Sequence, residues 1–355
     1  MKKILLGLTV FLTLTTAQSQ TKRVLFLGNS YTSVNNLPQM ISDVATSMGD
    51  TFIYDSNTPG GYTFQGHSTN ATSLAKIALG NWDYVVLQEQ SQRPSFPISQ
   101  VETDVFPYAH ILDSIINAEN PCAETVFYMT WGRKNGDASN CSSWPPVCTY
   151  SGMDSLLNLR YRMMADSNNA IVSPVGAVWK YIRQNFPLID LYQADESHPS
   201  VAGTYAAACS FYTALFRKDP TLISFNSGLT ASDAADIRNA AKLIVYDSLL
   251  NWHIGEYDSL INVACNTSVQ NISNNSVINI FPNPFSSQTT LLTNTFFHNA
   301  TLTVDNCFGQ TVKQIKNISG QTVTLFRDNL SSGLYFIRLT EDNKILSVDK
   351  LVITD

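Results

Sequence analysis

From residue 22 onward, short apolar runs rich in β-branched residues alternate with longer segments patterned at helical spacing. Val24–Gly28, Thr51–Ser56, Asp83–Gln88, Thr125–Trp131 and Ala170–Val175 read as strands, with amphipathic segments near 37–48, 70–80, 103–118 and 153–167 between them. Strands that are apolar on both faces and separated by helices pair in parallel and lie covered on both sides. The expectation is a three-layer α/β/α domain with a mostly parallel sheet. Ligands of such sheets bind beyond the carboxyl ends of the strands, so the residues just after each strand say most about function.

Helices near 200–217 and 232–250 complete this domain, the second with Thr230 or Ser232 as N-cap. The composition then changes. Residues 265–276 are rich in Asn and Ser and read as a linker. Beyond them Thr301–Val304, Thr322–Phe326, Leu334–Leu339 and Leu346–Ile353 are strand-like and divided by turn residues, which predicts a small all-β sandwich over 277–355. At the other end, Lys2 and Lys3, the apolar run Ile4–Leu12 and the small residues Thr15-Thr16-Ala17 have the layout of a secretory signal peptide over 1–20. The α/β domain is then expected over 21–264.

A net charge of −6 and the lack of a clustered basic face exclude a nucleic-acid partner as the expectation. In an exported chain the six cysteines permit disulfides, and Cys141 and Cys148, which flank a short loop, are the best pair. Cys209 lies in an apolar helical stretch and reads as a buried free thiol, while Cys122, Cys265 and Cys307 are too scattered for spacing to assign their partners, which stay open. No Cys/His spacing resembles a zinc site, so no metal is expected, and nothing calls for a cofactor.

The chemistry-bearing residues sit where strands should end. Gly28-Asn29-Ser30 follows the first strand, and a serine at a strand-to-helix turn presents its hydroxyl at the sheet edge. A helix cap is the plain alternative for Ser30. Asp195-Glu196-Ser197-His198 lies near the last strand-to-helix crossing, where an Asp three residues before a His can accept from Nδ1 and leave Nε2 free. Pro59-Gly60-Gly61-Tyr62 follows the second strand and could offer an unobstructed backbone N–H. Gln88-Glu89-Gln90-Ser91-Gln92 follows the third, and Gln88, Gln90 and Gln92 share strand parity, so one carboxamide could be a further donor if the strand continues.

Together these residues resemble the SGNH (GDSL-like) hydrolase family over roughly residues 22–217. Asn29 stands where that family usually has Asp, Asp195 and His198 match its Asp-x-x-His block, and the Gln-Glu-Gln-Ser run replaces its usual Gly-x-Asn-Asp. The resemblance implies a serine esterase with Ser30 as nucleophile, Asp195 and His198 completing a triad, and an oxyanion hole from Ser30, Gly61 or Gly60, and Gln88 or Gln90. Asn29, His67 and Trp131 are expected to line the substrate cleft. A carbohydrate O-acetyl ester is the substrate the class suggests, and a catalytically silent glycan-binding protein is the alternative. Ile280-Phe281-Pro282-Asn283-Pro284-Phe285, Gly333–Leu339 and Lys350–Ile353 resemble the C-terminal sorting domain of the type IX secretion system of Bacteroidetes. This implies a partner in the secretion machinery and a secreted or cell-surface protein.

Overall fold

The computed structural model describes residues 19–259, 265, 278–306, 310–341 and 344–355. Residues 1–18 of the signal-peptide segment, most of the linker and Cys307 lie outside the described residues. Two compact units divide at residues 268 and 269.

The first unit runs β1 (Thr21–Leu27), α1 (Ser30–Ser33), α2 (Leu37–Ser47), β2 (Thr51–Asn57), α3 (Phe64–Thr69), α4 (Ala71–Ile77), β3 (Tyr84–Leu87), α5 (Ile98–Asp104), α6 (Phe106–Glu119), β4 (Glu124–Tyr128), α7 (Tyr150–Asn168), β5 (Ile171–Ser173), α8 (Val175–Asn185), α9 (Val201–Phe216) and α10 (Ala231–Ile244). All five strands are parallel, in the order β2-β1-β3-β4-β5. The chain reverses its direction of travel across the sheet between β1 and β3, and the crevice at that switch point is where such folds place their ligands. β3, β4 and β5 are buried at every position, the mark of a sheet covered on both faces.

Thr230, rather than Ser232, caps α10, accepting from the Asp233 N–H. The fifth predicted strand is cut short: Pro174 lies between β5 and α8, a helix the strand reading of Ala170–Val175 leaves out. Its core residues Val175, Val178, Trp179 and Ile182 are nevertheless spaced at helical intervals. Cys141 pairs with Cys148, and Cys209 is free and buried, its thiol pushed up to about 12 by desolvation. Cys122, whose partner the sequence leaves open, bonds Cys265 across 143 residues of sequence, a separation that hides the pairing from any local reading. No helix among the described residues is long and apolar enough to cross a membrane.

The second unit is all β: β6 (Ile278–Phe281), β7 (Gln288–Asn306), β8 (Thr311–Phe326), β9 (Gly333–Glu341) and β10 (Lys344–Ile353). They pair antiparallel in the order β10-β9-β7-β6, with β8 also on β7. Leu302 faces Leu339 and Val304 faces Ile337 across β7 and β9, and these residues pack with Leu325, Leu351 and Ile353 in a separate core. The Phe281–Phe285 segment is tied to β10 through Asn283, whose amide donates to the Lys350 carbonyl and accepts from the Val352 N–H.

Candidate functional site

β1 ends at Leu27, and Asn29 N-caps the short α1 that starts on Ser30, its Oδ1 accepting from the Tyr31 N–H. This turn needs glycine at position 28, because a Cβ there would lie 2.6 Å from Thr32 Oγ1 and 2.7 Å from Gln88 Oε1. The result sets the Ser30 side chain at the carboxyl edge of β1, beside the switch point.

Asp195–His198 lies between α8 and α9, not at the last strand-to-helix crossing as the sequence suggests, because β5 passes straight into α8, and the segment forms a tight turn. The Gln193 N–H donates to the His198 carbonyl, the Ser200 N–H donates to the Leu191 carbonyl, and Glu196 takes a left-handed φ of 60°. Asp195 organises this turn through Oδ1, which accepts from the N–H groups of Ser197 and His198 at 3.1 and 3.0 Å. Its Oδ2 lies 2.5 Å from His198 Nδ1, and His198 Nε2 lies 2.8 Å from Ser30 Oγ. Burial pushes the Asp195 carboxyl upward, but the hydrogen bonds from the imidazole and the two backbone N–H groups outweigh it and hold the group below the usual carboxylate range. An ionised Asp195 fixes the imidazole with Nδ1 protonated and Nε2 ready to accept from the serine. Ser30, Asp195 and His198, read as a set from the sequence, are thus in hydrogen-bonded series although 168 residues separate the serine from the histidine.

Gly61 has a φ of 68°, the region that favours glycine, and lies on an exposed turn after β2. Among the described residues, none accepts a hydrogen bond from the backbone N–H of Ser30 or of Gly61.

The glutamines are placed otherwise than expected. β3 stops at Leu87, so strand parity does not extend through Gln92. Gln88 is fully buried and turned under the Ser30 turn, where its Oε1 accepts from the Asn29 N–H at 2.9 Å and the Thr32 hydroxyl at 3.0 Å. Its Nε2 donates one N–H to the Glu89 carbonyl, and the whole side chain is closed off from solvent. Gln90 folds back on its own loop, accepting from the N–H groups of Gln92 and Arg93 and donating to Gln92 Oε1. Gln88 is thus shut away beneath the turn, whereas Gln90 is half-buried and held within its own loop.

The three residues expected to line the cleft also need correction. Asn29 is only 2% exposed, and its Nδ2 donates to the carbonyls of Tyr62 and Glu89, joining the loops after β1, β2 and β3. An aspartate would have no N–H for either carbonyl, which accounts for the carboxamide in the Gly28-Asn29-Ser30 sequence. His67 is fully buried, with Nε2 donating to the Gly28 carbonyl and Nδ1 facing the Ser73 hydroxyl. Desolvation pulls its pKa down to about 4, so it serves as a neutral strut. Trp131 is fully buried as well, stacked between Tyr31 and Trp179 at centroid distances of 4.8 and 3.7 Å.

Two residues went unread. Glu89, inside the flagged polar run, is buried and accepts from the Phe64 and Gln90 N–H groups, with desolvation pushing it up to about 7. Tyr31, beside the nucleophile candidate, reaches across to Ser197. The nearest sequence signal for either was adjacency to a residue already singled out. Among the described residues no cluster of three His, Cys, Asp or Glu side chains could hold a metal.

Residues 279–354 match the family model described as a secretion system C-terminal sorting domain, a match that marks the chain for export. No curated protein matches the chain. Among solved structures, a DUF4886 family protein from Bacteroides uniformis is similar with a TM-score of 0.56 and 18% identity, over 65% of this chain and 95% of that one. A protein described as a candidate SGNH hydrolase from Slackia heliotrinireducens gives a TM-score of 0.45 and 26% identity, over 54% of this chain and 97% of that one. The N-terminal unit therefore shares the fold of the DUF4886 family protein, and the C-terminal unit matches a domain that sorts proteins for secretion.

Proposed function

We propose that the N-terminal unit is a serine ester hydrolase of the SGNH kind, delivered to the cell surface or the medium by type IX secretion. The observation that carries this reading is the series Ser30 Oγ to His198 Nε2 at 2.8 Å and His198 Nδ1 to Asp195 Oδ2 at 2.5 Å. It stands at the carboxyl edge of a parallel sheet, where such chemistry is done.

In the proposed reaction His198 Nε2 takes the proton of Ser30 as Oγ attacks the ester carbonyl carbon. The carbonyl oxygen becomes an oxyanion held by the Ser30 and Gly61 N–H groups. Collapse breaks the bond to the alcohol oxygen, which leaves with the proton from His198. Water, deprotonated by the same nitrogen, then attacks the acyl group and releases the acid and the free serine. Asp195 orients the imidazole and stabilises its protonated form throughout. Export and an open, half-exposed His198–Asp195 pair favour an acyl group on a bulky alcohol such as a polysaccharide, and we infer an O-acetylated glycan as the substrate class.

The test is hydrolysis of a short-chain aryl acetate by the protein and by Ser30→Ala. Turnover that disappears with the hydroxyl supports the reading. Turnover that survives the substitution contradicts it.

A further inference from the structure

Two further hydrogen bonds hold the turn that carries His198, one from the segment of Ser30 and one from the loop after β4. Tyr31, the residue after Ser30, places its hydroxyl 2.6 Å from Oγ of Ser197, the residue before His198. Trp131 Nε1–H donates to the backbone carbonyl of that same Ser197 at 3.1 Å. The two aromatic rings lie nearly parallel, 5° apart, and Trp131 continues the stack onto Trp179 at 9°. Tyr31 also meets the His198 imidazole edge-on at 5.4 Å between centroids.

This contrasts with the turn it holds. The side chains of His198 and Asp195 are 31% and 48% exposed, and the turn carries the left-handed Glu196. Tyr31 and Trp131 are 3% and 0% exposed. Buried, stacked rings have few rotamers open to them, so a turn tied to them inherits their position. Burial also raises the Tyr31 pKa, keeping the phenol a neutral hydrogen-bonding group.

We propose that Tyr31, Trp131 and Ser197 form a brace that sets the distance and angle between Ser30 and His198, acting as positioning residues for the hydrolysis. The inference rests on the reading of Ser30, His198 and Asp195 given above. Proton transfer in a positioned pair is steep in geometry, with a displacement of about 1 Å costing on the order of a hundredfold in rate. A brace that prevents part of that displacement is worth about tenfold.

The experiment uses Tyr31→Phe, Ser197→Ala and the double variant in the full chain, with kcat and KM for an aryl acetate and the rate of Ser30 labelling by a fluorophosphonate. Both substitutions remove a hydroxyl and leave the stack intact. Each single variant should lose about tenfold in kcat with KM within about twofold, and the double variant should lose no more than either single one. Trp131→Phe, which keeps a ring and removes the Nε1–H, should lower kcat in the same way. Single variants within twofold of the parent in kcat, or losses that multiply in the double variant, would overturn the brace while parental turnover leaves the hydrolase reading standing. A parent that neither turns over nor labels removes both.

Discussion

Gln88 Oε1 accepts the backbone N–H of Asn29 across 2.9 Å, tying the exit of β3 to the turn that presents Ser30. The Asn29 N–H needs an acceptor, so the bond also fixes which end of the carboxamide faces the turn. Gln88→Leu leaves that N–H and the Thr32 hydroxyl buried without a partner. Unfolding in urea should show a loss of about 2 kcal/mol, together with reduced hydrolysis. Full stability with activity alone abolished would instead point to direct contact with the substrate.

Asn29→Asp replaces the Nδ2 donor by a carboxylate oxygen facing the carbonyls of Tyr62 and Glu89. The variant should be less stable by about 1–3 kcal/mol at neutral pH, read from the denaturation midpoint. A variant as stable as the parent would mean that the three loops do not depend on this amide.

Much of this was legible beforehand. The alternation of apolar strands and helices announced the parallel sheet, and strand ends directed attention to Ser30, Gly61 and the Asp195–His198 pair. What was not legible depended on where strands stop. Parity arguments carried Gln88 and Gln90 toward a substrate, but β3 ends at Leu87, Gln88 is buried beneath the Ser30 turn, and Gln90 folds into its own loop. His67 and Trp131 were read as cleft residues for being polar or aromatic near a site, whereas three-dimensional packing buries them behind it. The Cys122–Cys265 bond, between residues 143 apart, had no local signature.

Glu124 is buried at the start of β4 and its Oε1 has no hydrogen-bond partner among the described residues. Desolvation pushes its carboxyl up to about 7 from an ordinary 4.5. The folded state therefore holds a proton that the unfolded chain releases between those values, and this group's contribution to stability falls as pH rises from about 4.5 to 7. Glu124→Gln should gain on the order of 2 kcal/mol over the parent at pH 8 and nothing at pH 4. Denaturation curves of both proteins at the two pH values check this, and a gain independent of pH would contradict it.

The Cys141–Cys148 bond closes the loop that follows Asp137, whose buried carboxylate accepts from Gln92, Asn140 and Arg133. Replacing both cysteines by serine should lower stability by about 2 kcal/mol, the loop-closure value for so short a ring. Thermal unfolding of the oxidised parent and the double variant measures it, and equal midpoints would show that the Asp137 bonds hold the loop unaided.

Locating a fluorophosphonate adduct decides whether Ser30 is the nucleophile and His198 its base. The protein is labelled, digested and mapped by mass spectrometry, alongside His198→Ala. A single adduct is expected on the peptide carrying Ser30, formed at least a hundredfold more slowly when His198 is replaced, as loss of the general base demands. An adduct on another residue, or labelling of Ser30 at the same rate without His198, would contradict that assignment.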